Sequence, residues 1–408
     1  MKRLLLSLLA FCLLLGTVSC GKTEQPPAQE EVIPVVQPEP VPETPPEPPE
    51  PTPEELAAQR IDALLASLTL EEKVGQLFFV HCPADMAAED VSTYHLGGYI
   101  LFGRDFKDSS DNWLTKEQVV QAISSYQSAA QTATGIPLLI GSDEEGGSVT
   151  RASRNPNLFD SKFKSPQWLW QNQHEHGNIF AEDAWEKSNA LLALGINVNL
   201  APVADVATDP NAFIYDRTLG QDAQTTAVYV ETTVNAMKES GIGSVLKHFP
   251  GYGHNVDTHT GIAVDHRYYQ EFLDTDFLPF AAGIAAGKLE DGRQCAAVLV
   301  SHNIVTCMDP ELPASLSPAV HRVLRDELGF TGVAMTDDLA MDAVEAYVED
   351  GSVAVMAIVA GNDLVITSDY RTQIPKVIEA VQSGTLSEEA IDTACRRVLI
   401  WKQALGLI

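Results

Sequence analysis

Short, almost wholly apolar runs alternate with longer stretches of helical periodicity along most of the chain. Eight runs stand out: QLFFVH (76–81), GYILFG (98–103), IPLLIGSD (136–143), INVNLAPV (196–203), IGSVLKHF (242–249), AAVLVSH (296–302), TGVAMTDD (331–338) and DLVIT (363–367). Between them lie segments such as KEQVVQAISSYQSAAQTA, AEDAWEKSNALLALG, TTAVYVETTVNAMKESG and LSPAVHRVLRDELGF. Several stop at glycine, which readily takes the left-handed conformation that follows a helix. LTLEEKVGQL opens a helix through a capping box at Thr69 and Glu72, and LSEEAIDTACRRVLIWKQALGLI reads as an amphipathic helix. Apolar runs buried on both faces mark parallel strands covered by helices. Eight of them predict an α/β fold closed into a (β/α)8 TIM barrel over residues 55–408, with an open doubly wound sheet as the alternative. That domain fills the remainder of the chain, so no second large domain is expected.

Before residue 55 the beat disappears. Residues 21–54 are dominated by Pro, Glu and Gln, as in PEPVPETPPEPPEPTPEE, and have too little apolar surface to bury. They predict an extended tether with polyproline II character. The start, MKRLLLSLLAFCLLLGTVSC, has a basic end, an apolar run too short for a comfortable membrane span, and small residues before Cys20. It reads as an export signal over residues 1–20. Thr17, Val18, Ser19 and Cys20 resemble a bacterial lipobox, with Thr17 where Leu is usual. Lipidation of Cys20 would anchor the protein to a membrane of the bacterial cell envelope, periplasmic or surface; a plain secretory peptide is the alternative.

Charge narrows the partners. Lys and Arg number 26 against 56 Asp and Glu, a formal net charge of -30. Such a surface repels a phosphate backbone, so no nucleic-acid partner is expected. The cysteines left after export and lipidation are Cys82, Cys295, Cys307 and Cys395. Cys295 and Cys307 flank a predicted strand, roughly 20 Å apart at about 3.3 Å per residue, so mostly free thiols are expected.

The candidate chemistry sits where strands end. Asp143, Lys247 with His248, His302, and Asp337 with Asp338 each stand at the C-terminal end of a different predicted strand. In a (β/α)8 barrel those ends form the active-site face. A single polar residue there is commonly a helix cap; acids, bases and cations on four of eight strands point to a site. Alternation along a strand predicts that only one of Asp337 and Asp338 enters it.

The motifs SDEEGGSVTR (142–151), NVNLAPVADV (197–206), YDRTLG (215–220), KHFPGYGHNVDTH (247–259), DPELPASLS (309–317), LRDELGFTGVAMTDDLAM (324–341) and AGNDL (360–364) resemble, in order, glycoside hydrolase family 3, and within it the NagZ-type β-N-acetylhexosaminidases. The resemblance runs from about Leu68 onward. KHFPG and GFTGVAMTDDL are its specific signals. It implies a retaining exo-hydrolase that removes terminal β-linked N-acetylglucosamine from peptidoglycan fragments or chitin-type oligosaccharides, with no cofactor and no metal. It further implies Asp337 as nucleophile, forming a covalent glycosyl intermediate. His259 on a loop becomes the general acid/base, oriented by Asp257, and carbohydrate is held by Asp143, Arg151, Arg217, Lys247 and His248. A histidine near neutrality can protonate the leaving oxygen and later deprotonate water, while the aspartate fixes its tautomer. The loop from Pro250 to Gly261 holds three glycines, which suits closure over substrate. Related family 3 glucosidases take their acid from a second domain, so here the barrel's own loops are expected to supply it. Arg151 and Arg217 also read as ordinary structural ion pairs; His302 and Asp205 read as supporting or core polar residues. The chain departs from the family pattern at Ser148, Glu144 and Tyr252, where Arg, Gln and His are usual, and Tyr252 alters the loop on the leaving-group side.

Other readings remain. A histidine acid/base does not repel an anion, so phosphate could replace water in a phosphorylase, and a β-glucosidase of the same family is a close alternative. A metal-dependent barrel hydrolase is suggested by His248, His254, His259 and Asp257, but such sites need ligands converging from several strands and the first strand offers only His81. A non-catalytic sugar-binding lipoprotein is the third class.

Overall fold

The computed structural model describes residues 51–173, 178–253, 255, 261–341, 344, 347 and 352–408. The expected export signal, Cys20 and the tether to residue 50 lie outside these residues, as do Asp257 and His259.

The first helix, Pro53–Ser67, starts inside the segment expected to be tether. Thr52 accepts from Glu55 N–H and the Glu55 carboxylate reaches back, with Pro53 in the first turn where its missing N–H costs nothing. The capping box read at Thr69 and Glu72 opens helix Leu70–Gln76. Thr115 and Gln118 cap Lys116–Ala133, Asp222 caps Ala223–Ser240, and Ser387 caps Glu388–Ala404. LSPAVHRVLRDELGF is realised as a short helix, Pro318–Arg322, running into a wider π-helical turn over Val323–Glu327. Among the described residues no helix is long and apolar enough to cross a membrane.

The strands are β1 (Phe79–His81), β2 (Gly98–Leu101), β3 (Leu139–Ser142), β4 (Val198–Asn199), β5 (Gly243–Phe249), β6 (Val264–Asp265), β7 (Ala296–Val300), β8 (Ile304–Val305) and β9 (Ala334–Thr336). Seven form one parallel sheet in the order β1-β2-β3-β4-β5-β7-β9. The eighth apolar run closes it. Leu364 bridges Met335 and Val365 bridges Phe78, both in parallel; Thr336 N–H donates to Leu364 O at 3.1 Å, and Phe79 N–H to Val365 O at 3.0 Å. All eight runs therefore take barrel positions. β6 and β8 pair outside the barrel, and at two residues each they are too short to leave a hydrophobic signature.

Both faces of the sheet are buried, as the runs implied. Phe79, Ile100, Leu139, Val245, Leu299 and Met335 form the inner cluster, while Phe78, Val80, Tyr99, Leu101 and Ile140 meet the helices outside. Val398 and Trp401 of helix Glu388–Ala404 join the inner cluster, and Trp401 Nε1 donates to Cys295 O at 2.9 Å. Truncating Trp401 to alanine should therefore cost about 3–5 kcal/mol. A side chain at Gly141 would collide with the Phe79 ring, so the glycine in IPLLIGSD makes room for that inner phenylalanine. Cys82, Cys295, Cys307 and Cys395 are all free thiols.

Candidate active site

Two neighbouring glutamates after β3 are sent opposite ways. Glu144 turns into the protein, where its carboxylate accepts Arg151 N–H at 2.7 Å, Ala152 N–H, and Ser153 Oγ–H at 2.9 Å. Burial raises its pKa, opposed by those donors. A glutamine, usual in the family, offers the same acceptor oxygen without a buried charge. Gly146 lies at φ 99°, and a side chain there would strike the Lys164 carbonyl, so the turn demands glycine. The folded-back loop brings Asp143, Glu145 and Arg151 to one mouth. Ser148 stays at the exposed edge, its carbonyl accepting from Arg154 at 2.7 Å.

These carboxylates meet cations from β5 and the following loops. Lys247 Nζ lies 2.8 Å from Asp143 and 2.6 Å from Glu145. Arg217 makes a two-pronged contact with Glu145 at 2.9 and 2.8 Å, and Arg151 reaches Asp143 at 3.3 Å. Burial would raise both carboxyls, but the cations outweigh it and hold Asp143 and Glu145 below the usual range. Burial would likewise lower Lys247, and the two carboxylates instead raise it. Arg151 and Arg217 are thus both ion-paired and exposed to the site; the two readings from sequence coexist.

His248 is locked by a chain of directed bonds. Arg217 Nη2 lies 3.1 Å from His248 Nε2, and a guanidinium can only donate, so Nε2 accepts. Nδ1 then carries the proton and donates to Asp205 Oδ2 at 2.7 Å. Asp205, fully buried, also accepts His248 N–H at 3.1 Å and Tyr252 N–H at 2.7 Å. Its supporting position agrees with the sequence expectation. The Tyr252 ring packs edge-on against His248, with centroids 5.7 Å apart, and against Phe213.

Asp337 follows β9 directly. Its N–H donates to Val300 O at 3.0 Å and its carboxylate accepts Asp338 N–H at 2.9 Å. Asp338 is held by His81 Nε2 at 3.1 Å from Oδ2, by Ala340 N–H on Oδ1, and by His302 Nε2 donating to its carbonyl at 2.9 Å. His302 Nδ1 accepts from Ser315 Oγ at 2.7 Å, so His302 supports the backbone beside Asp337.

The outward-facing members of this set converge on a cavity of about 330 Å³ at the C-terminal ends of the strands. It is lined by Asp143, Glu145, Arg151, Arg217, Lys247, His248 and both Asp337 and Asp338, with Phe102, Leu200 and Met341 among the apolar walls. The expectation that only one of the tandem aspartates would enter is incorrect. β9 ends at Thr336, so strict alternation no longer governs the residues after it. Glu145 was missed by sequence reasoning; the signal available was a run of three acids, Asp143, Glu144 and Glu145, before a glycine turn. His81 was considered only as a metal ligand. The catalytic roles expected of Asp257 and His259 fall outside the described residues. The segment's stem is fixed at Gly251, whose carbonyl accepts from Arg267 at 3.3 Å, and at Asn255, which donates to Asp265 at 3.1 Å.

Comparison with known proteins agrees with this architecture. Residues 69–400 match the model of the glycosyl hydrolase family 3 N terminal domain. A protein of Stenotrophomonas maltophilia (strain K279a) named beta-hexosaminidase is 31% identical over 318 residues, which cover 76% of this chain and 86% of the relative. The solved structure of a family 3 beta-N-acetylglucosaminidase from Paenibacillus sp. str. FPU-7 superposes with a TM-score of 0.73 at 29% identity, covering 84% of this chain and 63% of that one. The chain thus spans under two thirds of that larger protein. A beta-N-acetylhexosaminidase from Beutenbergia cavernae DSM 12333 superposes at 0.68 with 30% identity, covering 84% of this chain and 99% of that one. A barrel whose strand ends carry these motifs, matched over most of its length, belongs to glycosyl hydrolase family 3 and is a glycosidase.

Proposed function

We propose that the protein is a retaining exo-β-N-acetylglucosaminidase. The observation that carries this reading is Asp337 at the end of β9, sharing one cavity with the wall of Asp143, Glu145, Arg151, Arg217, Lys247 and His248. Cations and carboxylates together can donate to and accept from the several hydroxyls of one sugar ring. The names of the similar hexosaminidases support the acetamido sugar.

In this reading Asp337 attacks the anomeric carbon as the glycosidic C–O bond breaks, and His259, oriented by Asp257, gives its proton to the departing oxygen. Water then enters; His259 takes a proton from it, its oxygen bonds to the anomeric carbon, and the C–O bond to Asp337 breaks to release the sugar and restore the carboxylate. Arg217 can donate to the sugar, and His248, its two ring nitrogens engaged by Arg217 and Asp205, backs it without adding a second nucleophile. Hydrolysis, rather than transfer to phosphate, is the reaction proposed; added phosphate should leave the rate of sugar release unchanged.

The deciding assay compares an aryl N-acetylglucosaminide with the matching aryl glucoside. Release from the first and little from the second supports the reading. Sugar binding without release would replace it with a non-catalytic role. Asp337→Ala should lower kcat by about 10⁴-fold or more, as loss of a nucleophile does in other covalent enzymes; near-normal turnover would overturn the assignment.

The setting is also proposed: residues 1–20 export the chain, Cys20 carries lipid, and the Pro/Glu-rich segment spaces the enzyme from the membrane. Peptidoglycan fragments and chitin-type oligosaccharides are the substrates available there. Membrane fractionation of the full chain and of Cys20→Ser checks this, the variant being expected in the soluble fraction.

A further inference from the structure

His81 ends β1 at the rim of the cavity and lines it alongside Asp338, Phe102 and Arg151. Its side chain is 18% exposed, and its ring lies 4.4 Å, centroid to centroid, from Phe102 at 50°. Nε2 sits 3.1 Å from Asp338 Oδ2. Asp338 is itself fixed at Oδ1 by Ala340 N–H and at its carbonyl by His302. An ionised carboxylate can only accept, so with the ring neutral and its proton on Nε2, facing Asp338, Nδ1 is left as an acceptor. Among the described residues nothing pairs with Nδ1.

The rest of the polar wall is differently committed. Asp143 and Glu145 each meet two cations, and both nitrogens of His248 are engaged, one by Arg217 and one by Asp205. In that tautomer His81 offers an acceptor on the side of the cavity opposite in strand order to Lys247 and His248, next to the aspartate pair.

We propose that His81 is a substrate-binding residue: its Nδ1 accepts a hydrogen bond from a hydroxyl or amide N–H of the sugar, and Asp338 sets the tautomer that makes this possible. The assignment rests on the glycosidase reading of the same cavity. It gives Asp338 a role distinct from that of Asp337, and explains why both can line the cavity: one carboxylate faces the reacting carbon, and the other is occupied in orienting a histidine.

The test uses three proteins and two readouts. His81→Phe keeps a ring against Phe102 but has no acceptor; His81→Gln keeps an amide donor for Asp338 and a carbonyl acceptor. For an aryl N-acetylglucosaminide, kcat/KM should fall about tenfold in His81→Phe, the scale of one lost hydrogen bond, and recover by more than half of that loss in His81→Gln. In parallel, ¹⁵N-histidine spectra should show wild-type His81 as the Nε2–H tautomer, with its Nδ1 resonance moving when N-acetylglucosamine is added. An active wild type with unaltered kcat/KM in His81→Phe, or an Nδ1–H tautomer, overturns the inference and leaves the glycosidase reading standing. A wild type that neither hydrolyses nor binds the sugar overturns both. Should His81→Phe fail to fold, the tautomer and the response of Nδ1 in wild type decide alone.

Discussion

Arg217 donates two parallel hydrogen bonds to Glu145, at 2.9 and 2.8 Å, across 72 residues of chain. The pair joins the loop after β3 to the loop after β4, and Lys247 adds a third element from β5 at 2.6 Å. The proposed sugar-binding groups are thus positioned by one another as well as by their strands.

Removing the carboxylate should expose that dependence. Glu145 is almost fully buried, so Glu145→Ala leaves Arg217 without its main partner and Lys247 with Asp143 alone. The expected loss is about 3–5 kcal/mol of stability, with a fall in activity. Urea unfolding measures it. The sign with pH follows from the lowered Glu145 carboxyl: its contribution is full above the unfolded value of about 4.3 and is lost as pH falls toward the lower folded value. The stability gap between wild type and Glu145→Gln should narrow from pH 7 to pH 3; a constant gap would contradict the network.

Asp205 should act through His248. Asp205→Asn can present a donor where Nδ1–H needs an acceptor, favouring the opposite tautomer and setting an Nε2–H against Arg217. The expected result is a stability loss of about 1–3 kcal/mol and a raised KM. Unchanged KM and unfolding midpoint would show that the His248 tautomer carries no weight.

The proposed acid His259 predicts a dependence on leaving group. His259→Ala should slow cleavage of a disaccharide by about 10²–10⁴-fold. It should slow release of a dinitrophenolate, which departs without a proton, far less. Equal losses on both substrates would remove His259 from the acid role.

Lys402 is fully buried on helix Glu388–Ala404, bonded to Gln76 Oε1 at 2.7 Å, and burial pushes its pKa down to about 7. Between that value and the unfolded value of about 10.4 the unfolded chain binds more protons, so stability rises with pH in that window. Lys402→Met removes the linkage. Its stability relative to wild type should decline from pH 7 to pH 10, by up to about 1.4 kcal/mol per pH unit. A pH-independent difference would show that Lys402 keeps its proton inside.

The sequence by itself determined the barrel and the approximate rim of the site. Runs such as IPLLIGSD and AAVLVSH are apolar on both faces because barrel strands are covered inside and out, and that requirement is local enough to read directly. The polar residues at the C-terminal ends of such runs, Asp143, Lys247, His248 and Asp337, were legible because a strand's end fixes where they emerge. What only the tertiary structure decided is which neighbour faces what. Glu144 and Glu145 are equivalent on paper, and the backbone N–H groups of Arg151 and Ala152 draw one inward while Arg217 and Lys247 draw the other to the cavity. Asp337 and Asp338 are alike in the same way until His81, from the far end of the chain, takes the second. Chemical identity was written in the sequence; hydrogen-bond direction, tautomer and ionisation were not, because each depends on partners supplied by strands distant along the chain.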